Sequence, residues 1–258
     1  PTRPNKMVTH NWSNLFRDLV AAIVADALNE PSFSLIALLL DEDIAMVERI
    51  LSPKAMARTY WVCAFSVNQH RSICGANHNN AKDPTTGLVH PTCTCSAPKY
   101  LNNTLPMRAD SDQSIYCEMN KFDDMIAFLS ATDPDFGQVV AVDRTLGLFN
   151  RAWCVAELAA ASSMGMRQFM KLSSKKVVDQ QIEEVRHLDV RKMQAARQED
   201  VAEILGKIPD IDAFNAGLID LVFGKQGLLD RLENVDAIEQ AAAIGRASTF
   251  ADTLQRSD

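Results

Sequence analysis

Apolar positions follow two rhythms along the chain, short dense runs and longer stretches with helical spacing, and the two alternate from the amino end. Lys6 to His10 (KMVTH) reads as a first strand. Asn11-Trp12-Ser13-Asn14 follows as a turn rich in helix-capping residues. Leu15, Phe16, Leu19, Val20, Ile23, Val24 and Ala27 then recur at helical spacing, which predicts an amphipathic helix with Arg17, Asp18 and Asp26 on its other face. Pro31 ends it. Phe33 to Leu51 predicts a second helical stretch, broken or bent around Asp41 and closed by Pro53. Thr59 to Val67 (TYWVCAFSV) is the most strand-like segment, rich in aromatic and β-branched residues, and it runs into Asn68-Gln69-His70.

Patterning is lost from Arg71 to Tyr116 and resumes with a helix predicted over Cys117 to Ala131, carrying Met119, Phe122, Met125, Ile126 and Leu129 inward. The stretch from Gln138 to Leu158 is central. Val139-Val140-Ala141-Val142 suits a strand covered on both faces, Asp143 closes it, and a helix begins near Asn150. On that helix Trp153 and Glu157 share a face, while Cys154, Leu158 and Ala161 form a buried stripe. Met166 to Leu172 predicts a fourth strand, 175–186 a polar helix, and His187 to Ala195 a short fifth strand. From Gln198 onward the pattern is helical. One stripe holds Val201, Ile204, Leu205 and Ile208, and a second holds Phe214, Leu218, Leu221 and Val222. Leu228, Leu229, Leu232, Val235 and Ile238 make a third. Strands alternating with helices predict an α/β domain over residues 1–196, with a mostly parallel five-stranded sheet and helices on both faces. Residues 70–117 form an insertion in it, and 197–258 a helical carboxyl-terminal extension.

Charge narrows the classes of partner. A formal net charge of −7 argues against nucleic acid, whose backbone calls for a basic surface. No apolar run has the length to cross a bilayer, because Leu35 to Leu40 stops at Asp41-Glu42-Asp43. No secretory signal is read at the amino end, although a start at Pro1 leaves room for a removed leader. With six cysteines in 258 residues, the chain does not resemble a small disulfide scaffold. A reducing intracellular compartment, the cytoplasm by default, is the expectation, with Cys63 and Cys154 as reduced core residues.

Most of the histidines and cysteines crowd into the insertion. Zinc favours four such ligands from a loop without a core of its own. Cys74, His90, Cys93 and Cys95 are the candidate set, with His70 or Cys117 as substitutes. Free thiols, or a Cys74–Cys93 disulfide in an oxidising compartment, are the alternatives.

KMVTHNWSNLF opening a helix, and FNRAWCVAEL after a VVAVD strand, resemble the Toll/interleukin receptor (TIR) superfamily, and the latter its plant-type branch. YWVCAFSVNQH is similar to a stretch of the TIR-like fungal heterokaryon-incompatibility domain. Taken whole, the chain also resembles a large group of dinoflagellate proteins. The resemblance covers roughly 6–195 in the order of elements; the insertion and the helical tail depart from it. It implies a flavodoxin-like sheet and a cleft that binds NAD. Glu157 matches the glutamate required to cleave the nicotinamide–ribose bond. Asn11, Trp12, Asn68, His70 and Asp143 are then the expected substrate-facing groups at the carboxyl ends of the strands, with Trp153 excluding water beside Glu157. Many TIR-fold proteins are self-association modules instead. A non-enzymatic module that binds itself or another protein is therefore the second expectation.

Overall fold

The computed structural model describes residues 2–225 apart from 73, 76, 78–79, 84, 101–104, 106, 109, 112, 115–121, 175–182, 184–185 and 196–197. In chain order the elements are β1 (Lys6–His10), α1 (Phe16–Leu28), α2 (Ser34–Glu42), α3 (Ile44–Ile50) and the single turn α4 (Pro53–Met56). Next come β2 (Tyr60–Val62), the single turn α5 (Cys63–Ser66), α6 (Phe122–Thr132), β3 (Gly137–Ala141) and α7 (Ala152–Ser163). β4 (Arg167–Lys171), α8 (Gln198–Gly206) and α9 (Ile211–Phe223) complete the described chain. No helix among the described residues is long and apolar enough to cross a membrane.

The four strands form one parallel sheet in the order β2-β1-β3-β4. β3 is buried at every position, its apolar Val139-Val140-Ala141 between two helical layers and its one polar side chain, Gln138, hydrogen-bonded to neighbouring strands. Val8, Val139, Ala141 and Val62 pack with Leu19, Ala21, Ala22, Ala25, Phe33 and Ile36 on the α1–α2 side. Val140, Met170 and Leu172 pack on the other side with Val155 and Leu158 of α7 and with Val201, Ile204 and Leu218 of α8 and α9. Residues 198–223 thus help wrap the sheet. The third predicted stripe, Leu228 to Ile238, lies outside the described residues, as do Met119, Cys117 and most of the predicted helix over 175–186.

Four expectations are corrected. The sheet has four strands among the described residues, not five. Across 187–195 the chain makes a 3-10 turn (Val190–Lys192), capped where the Asp189 side chain accepts from the Arg191 N–H, and a lone parallel bridge between Arg151 and Gln194. Past β4, Leu172 pairs instead with Ser32, and its N–H donates to the Pro31 carbonyl at 3.1 Å. The predicted strand over 59–67 shortens to Tyr60–Val62, because the chain coils into α5, where the Ser66 hydroxyl accepts from the Val62 N–H.

The break in the second helix falls at Asp43, whose carboxylate caps α3 by accepting from the Met46 N–H. Pro53 opens α4 rather than closing α3. Finally, α1 turns its small residues Ala21, Ala22 and Ala25 to the sheet, together with Asp18 and Asp26, while Phe16 is exposed. Both aspartates are buried because cations meet them. Asp26 pairs with Lys6 at 2.8 Å, Lys171 at 3.5 Å and Arg58 at 3.8 Å and accepts the Tyr60 hydroxyl; Asp18 pairs with Arg17 and Arg144.

Candidate functional site

In a sheet ordered 2-1-3-4 the chain reverses direction of winding between β1 and β3, and ligands of such folds bind outside the carboxyl ends of the strands at that point. Asn11 follows β1 there, and Asp143 lies just past β3. The structure brings them together, Asn11 Nδ2 donating to Asp143 Oδ2 at 3.3 Å, and both are buried. The Asp143 carboxylate also accepts from the Thr145 hydroxyl and from the N–H groups of Thr145, Gly147 and Leu148. Its acceptor capacity serves the 143–148 loop. A Cβ at Gly147 would stand 3.1 Å from Asn11 Nδ2, a tight contact that the amide would have to yield to by a few tenths of an ångström.

Glu157 projects from α7 toward β1. Its carboxylate oxygen accepts a short hydrogen bond from the Thr9 hydroxyl, and Gln138 Nε2 donates to that hydroxyl at 2.8 Å. Gln168 Nε2 in turn donates to Gln138 Oε1 at 2.7 Å. A line of donors therefore runs from β4 through β3 and β1 to one carboxyl group. The residue is half-buried, but its carboxyl is packed out of water. Removal from water pushes it up to about 8, against the Thr9 hydrogen bond, which favours the charged form. No basic side chain among the described residues forms an ion pair with it.

Two thiols share its surroundings. Burial first, and then the negative charge of Glu157, raises Cys63 to about 12 and Cys154 well above the usual thiol range. The Trp12 indole N–H donates to Cys63 Sγ at 3.3 Å, and Cys154 Sγ donates to the His10 carbonyl at 3.4 Å. His10 is buried, its Nδ1 has no hydrogen-bond partner among the described residues, and loss of water holds its pKa below the usual value. Trp12 is 51% exposed, Phe16 65% and Phe65 62%, and the two phenylalanine rings meet edge-on at 5.9 Å.

Trp153 turns away from this group. It packs against the β3–β4 core and donates its indole N–H to Asp200 of α8 at 3.3 Å. Asn68 Oδ1 accepts from the His70 N–H and starts the turn into the insertion. His70 itself belongs to a second group. His70, Cys74, Cys93 and Cys95 hold their ligand atoms within 4.8 Å of one another and could hold a metal ion such as zinc. His90 is not among them; it sits on a small hairpin where its N–H donates to the Ala81 carbonyl.

The Ala97 N–H and then the Cys74 side chain lower Cys95 to about 6. At Cys74 the Lys99 ammonium pulls downward, but loss of water and the neighbouring thiols leave it above its usual value. All five described cysteines are free thiols. Gln69 joins the two groups, its side-chain amide donating to the Cys63 carbonyl at 3.1 Å.

Pattern reading missed Thr9, Gln138 and Gln168. Thr9 and Gln138 signal themselves only as polar residues within buried strands, which demand hydrogen-bond partners, and the half-buried Gln168 carries no such signal. Lys99 was likewise not singled out. Compared with family models, curated proteins and solved structures, the chain finds no match among any of the three.

Proposed function

We propose that the chain is a TIR-like module that cleaves the nicotinamide–ribose bond of NAD, with Glu157 as its catalytic carboxylate. The observation that carries this reading is a carboxyl group removed from water beside the end of β1, held by a neutral hydroxyl and with no ion pair among the described residues. A free carboxyl near 8 is largely protonated at neutral pH. The positive charge of the nicotinamide ring would draw it toward the ionised form, which Thr9 already favours.

In the reaction the bond between the ribose C1′ and the ring nitrogen breaks, and its electron pair leaves with nicotinamide. The positive charge left on the ribose is offset by the Glu157 carboxylate. Water then adds to C1′ and gives its proton to Glu157. Asn68 stands on the turn after β2, the Trp12 indole lies against Cys63, and the exposed rings of Phe16 and Phe65 pair edge-on.

The test is release of free nicotinamide from NAD by protein concentrated enough to self-associate. We expect release that rises with pH through about 8 and falls on the order of 10²–10³-fold in Glu157→Ala. No release, or release undiminished in the variant, rejects the assignment. The exposed Trp12, Phe16 and Phe65 favour a second reading, a module that associates with itself or with another protein through these apolar side chains. On that reading Trp12→Ser abolishes association and NAD is left intact.

A further inference from the structure

We propose that His70, Cys74, Cys93 and Cys95 bind one zinc ion, and that Lys99 is the outer cation balancing its charge. The geometry is that of a ligand shell. Zinc bonds of about 2.3 Å to sulfur and about 2.1 Å to nitrogen, arranged tetrahedrally, place neighbouring ligand atoms roughly 3.5–3.8 Å apart. Cys74 Sγ lies 3.4 Å from Cys95 Sγ and 3.4 Å from His70 Nδ1, and Cys93 Sγ lies 3.4 Å from the same nitrogen. Four donors of the type zinc prefers thus converge from two short segments, 70–74 and 93–95.

Charge supplies an independent observation. Three thiolates and a neutral imidazole around a divalent ion leave one net negative charge. Lys99 Nζ stands 2.8 Å from Cys74 Sγ and 3.7 Å from Cys95 Sγ, and is anchored on the His70 carbonyl at 2.8 Å. A single ammonium is what the shell lacks for neutrality. The Cys95 N–H pointing at Cys93 Sγ (3.4 Å) adds a donor to a second thiolate.

The surrounding segment needs such a staple. Leu88 and Val89 are exposed, and between 77 and 100 no described residue is buried. Hairpin bonds such as Asn77 to the Ala81 and His90 carbonyls are exposed to water, so burial contributes little to order there. Gly75, at φ 100°, turns the chain sharply after Cys74 in a conformation that side chains disfavour. Metal bonds would supply the missing free energy and, through Gln69, tie the insertion to the Cys63 end of β2.

The test is zinc content of the full chain purified under reducing conditions, followed by cobalt substitution. We expect one equivalent of zinc per chain. Cobalt should give the visible bands of a tetrahedral site together with thiolate charge transfer. His70→Ala and Cys93→Ser should lose the ion while the sheet still unfolds cooperatively. Lys99→Met should keep one equivalent but bind it about 10–100-fold more weakly in chelator competition. Less than stoichiometric zinc in the parent protein, or retention of the ion in His70→Ala, overturns the site. Unchanged affinity in Lys99→Met overturns the role of the lysine. None of these readouts involves NAD, so the site stands or falls apart from the assignment of Glu157.

Discussion

The Glu157 group and the His70–Cys95 group each gather chemistry-bearing side chains near the β2 end of the sheet, yet they are held by opposite means. Glu157 is carried by a helix pressed on two buried strands, and its partners Thr9 and Gln138 sit on rigid backbone. The thiols and His70 sit on loops with almost no apolar packing. A packed sheet can hold a polar group away from water and thereby change its chemistry. An exposed loop cannot, and its side chains converge durably only around a ligand. Protonation is therefore the variable at the first group and, on the zinc proposal, metal occupancy at the second.

Three changes probe that contrast. The largest effect should follow Asp26→Ala, in the packed region but away from both groups. Asp26 is 1% exposed, and its removal leaves Lys6 and Lys171 partly or fully buried without their counter-ion. We expect a loss of about 3–5 kcal/mol in urea denaturation followed by tryptophan fluorescence. A loss below about 1 kcal/mol would mean that water reaches Lys6 and Lys171 at the α1–sheet contact.

Next comes the pH dependence carried by Glu157. Its folded value, about 8, is above the ordinary value of 4.5, so between these values the unfolded chain has released a proton that the folded chain keeps. The contribution is full below about 4.5 and is lost as pH rises through about 8, with a slope of at most ~1.4 kcal/mol per pH unit. Glu157→Gln removes this slope. The stability difference between parent and variant, measured at pH 5, 6.5 and 8, should change steadily in that direction; a constant difference would contradict a desolvated carboxyl.

The smallest effect is expected from His90→Ala. That histidine is exposed and outside the ligand group, so zinc content should be unchanged and stability altered by less than about 0.5 kcal/mol. Loss of the ion would return His90 to the shell.

Much of the framework could be read from local pattern. KMVTH, VVAVD and the strand over 166–172 lie where expected, and the stripe of Cys154, Leu158 and Ala161 is buried. Of Thr59 to Val67 only Tyr60–Val62 is strand: the next four residues, Cys63-Ala64-Phe65-Ser66, hold no β-branched side chain, and the Ser66 hydroxyl accepts from the Val62 N–H as the backbone coils. Periodicity puts Asp18 and Asp26 on the solvent face because it weighs only the residue itself. Their burial depends on Lys6, Arg17, Arg144 and Lys171, three of which are distant in sequence from the aspartate they meet.

By itself the amino-acid order determined the alternation of strand and helix, the excess acidity, the carboxylate on α7, and a loop stocked with metal-binding side chains. These follow from composition and short-range spacing. Only the folded arrangement decided that Asp143 spends its oxygens on its own loop, that Trp153 serves α8, and that His70 rather than His90 joins the thiols. It also decided that Glu157 is held by Thr9 in a place where charge is disfavoured. Such outcomes depend on which distant atoms share a volume and how much water remains between them, and no local pattern encodes either.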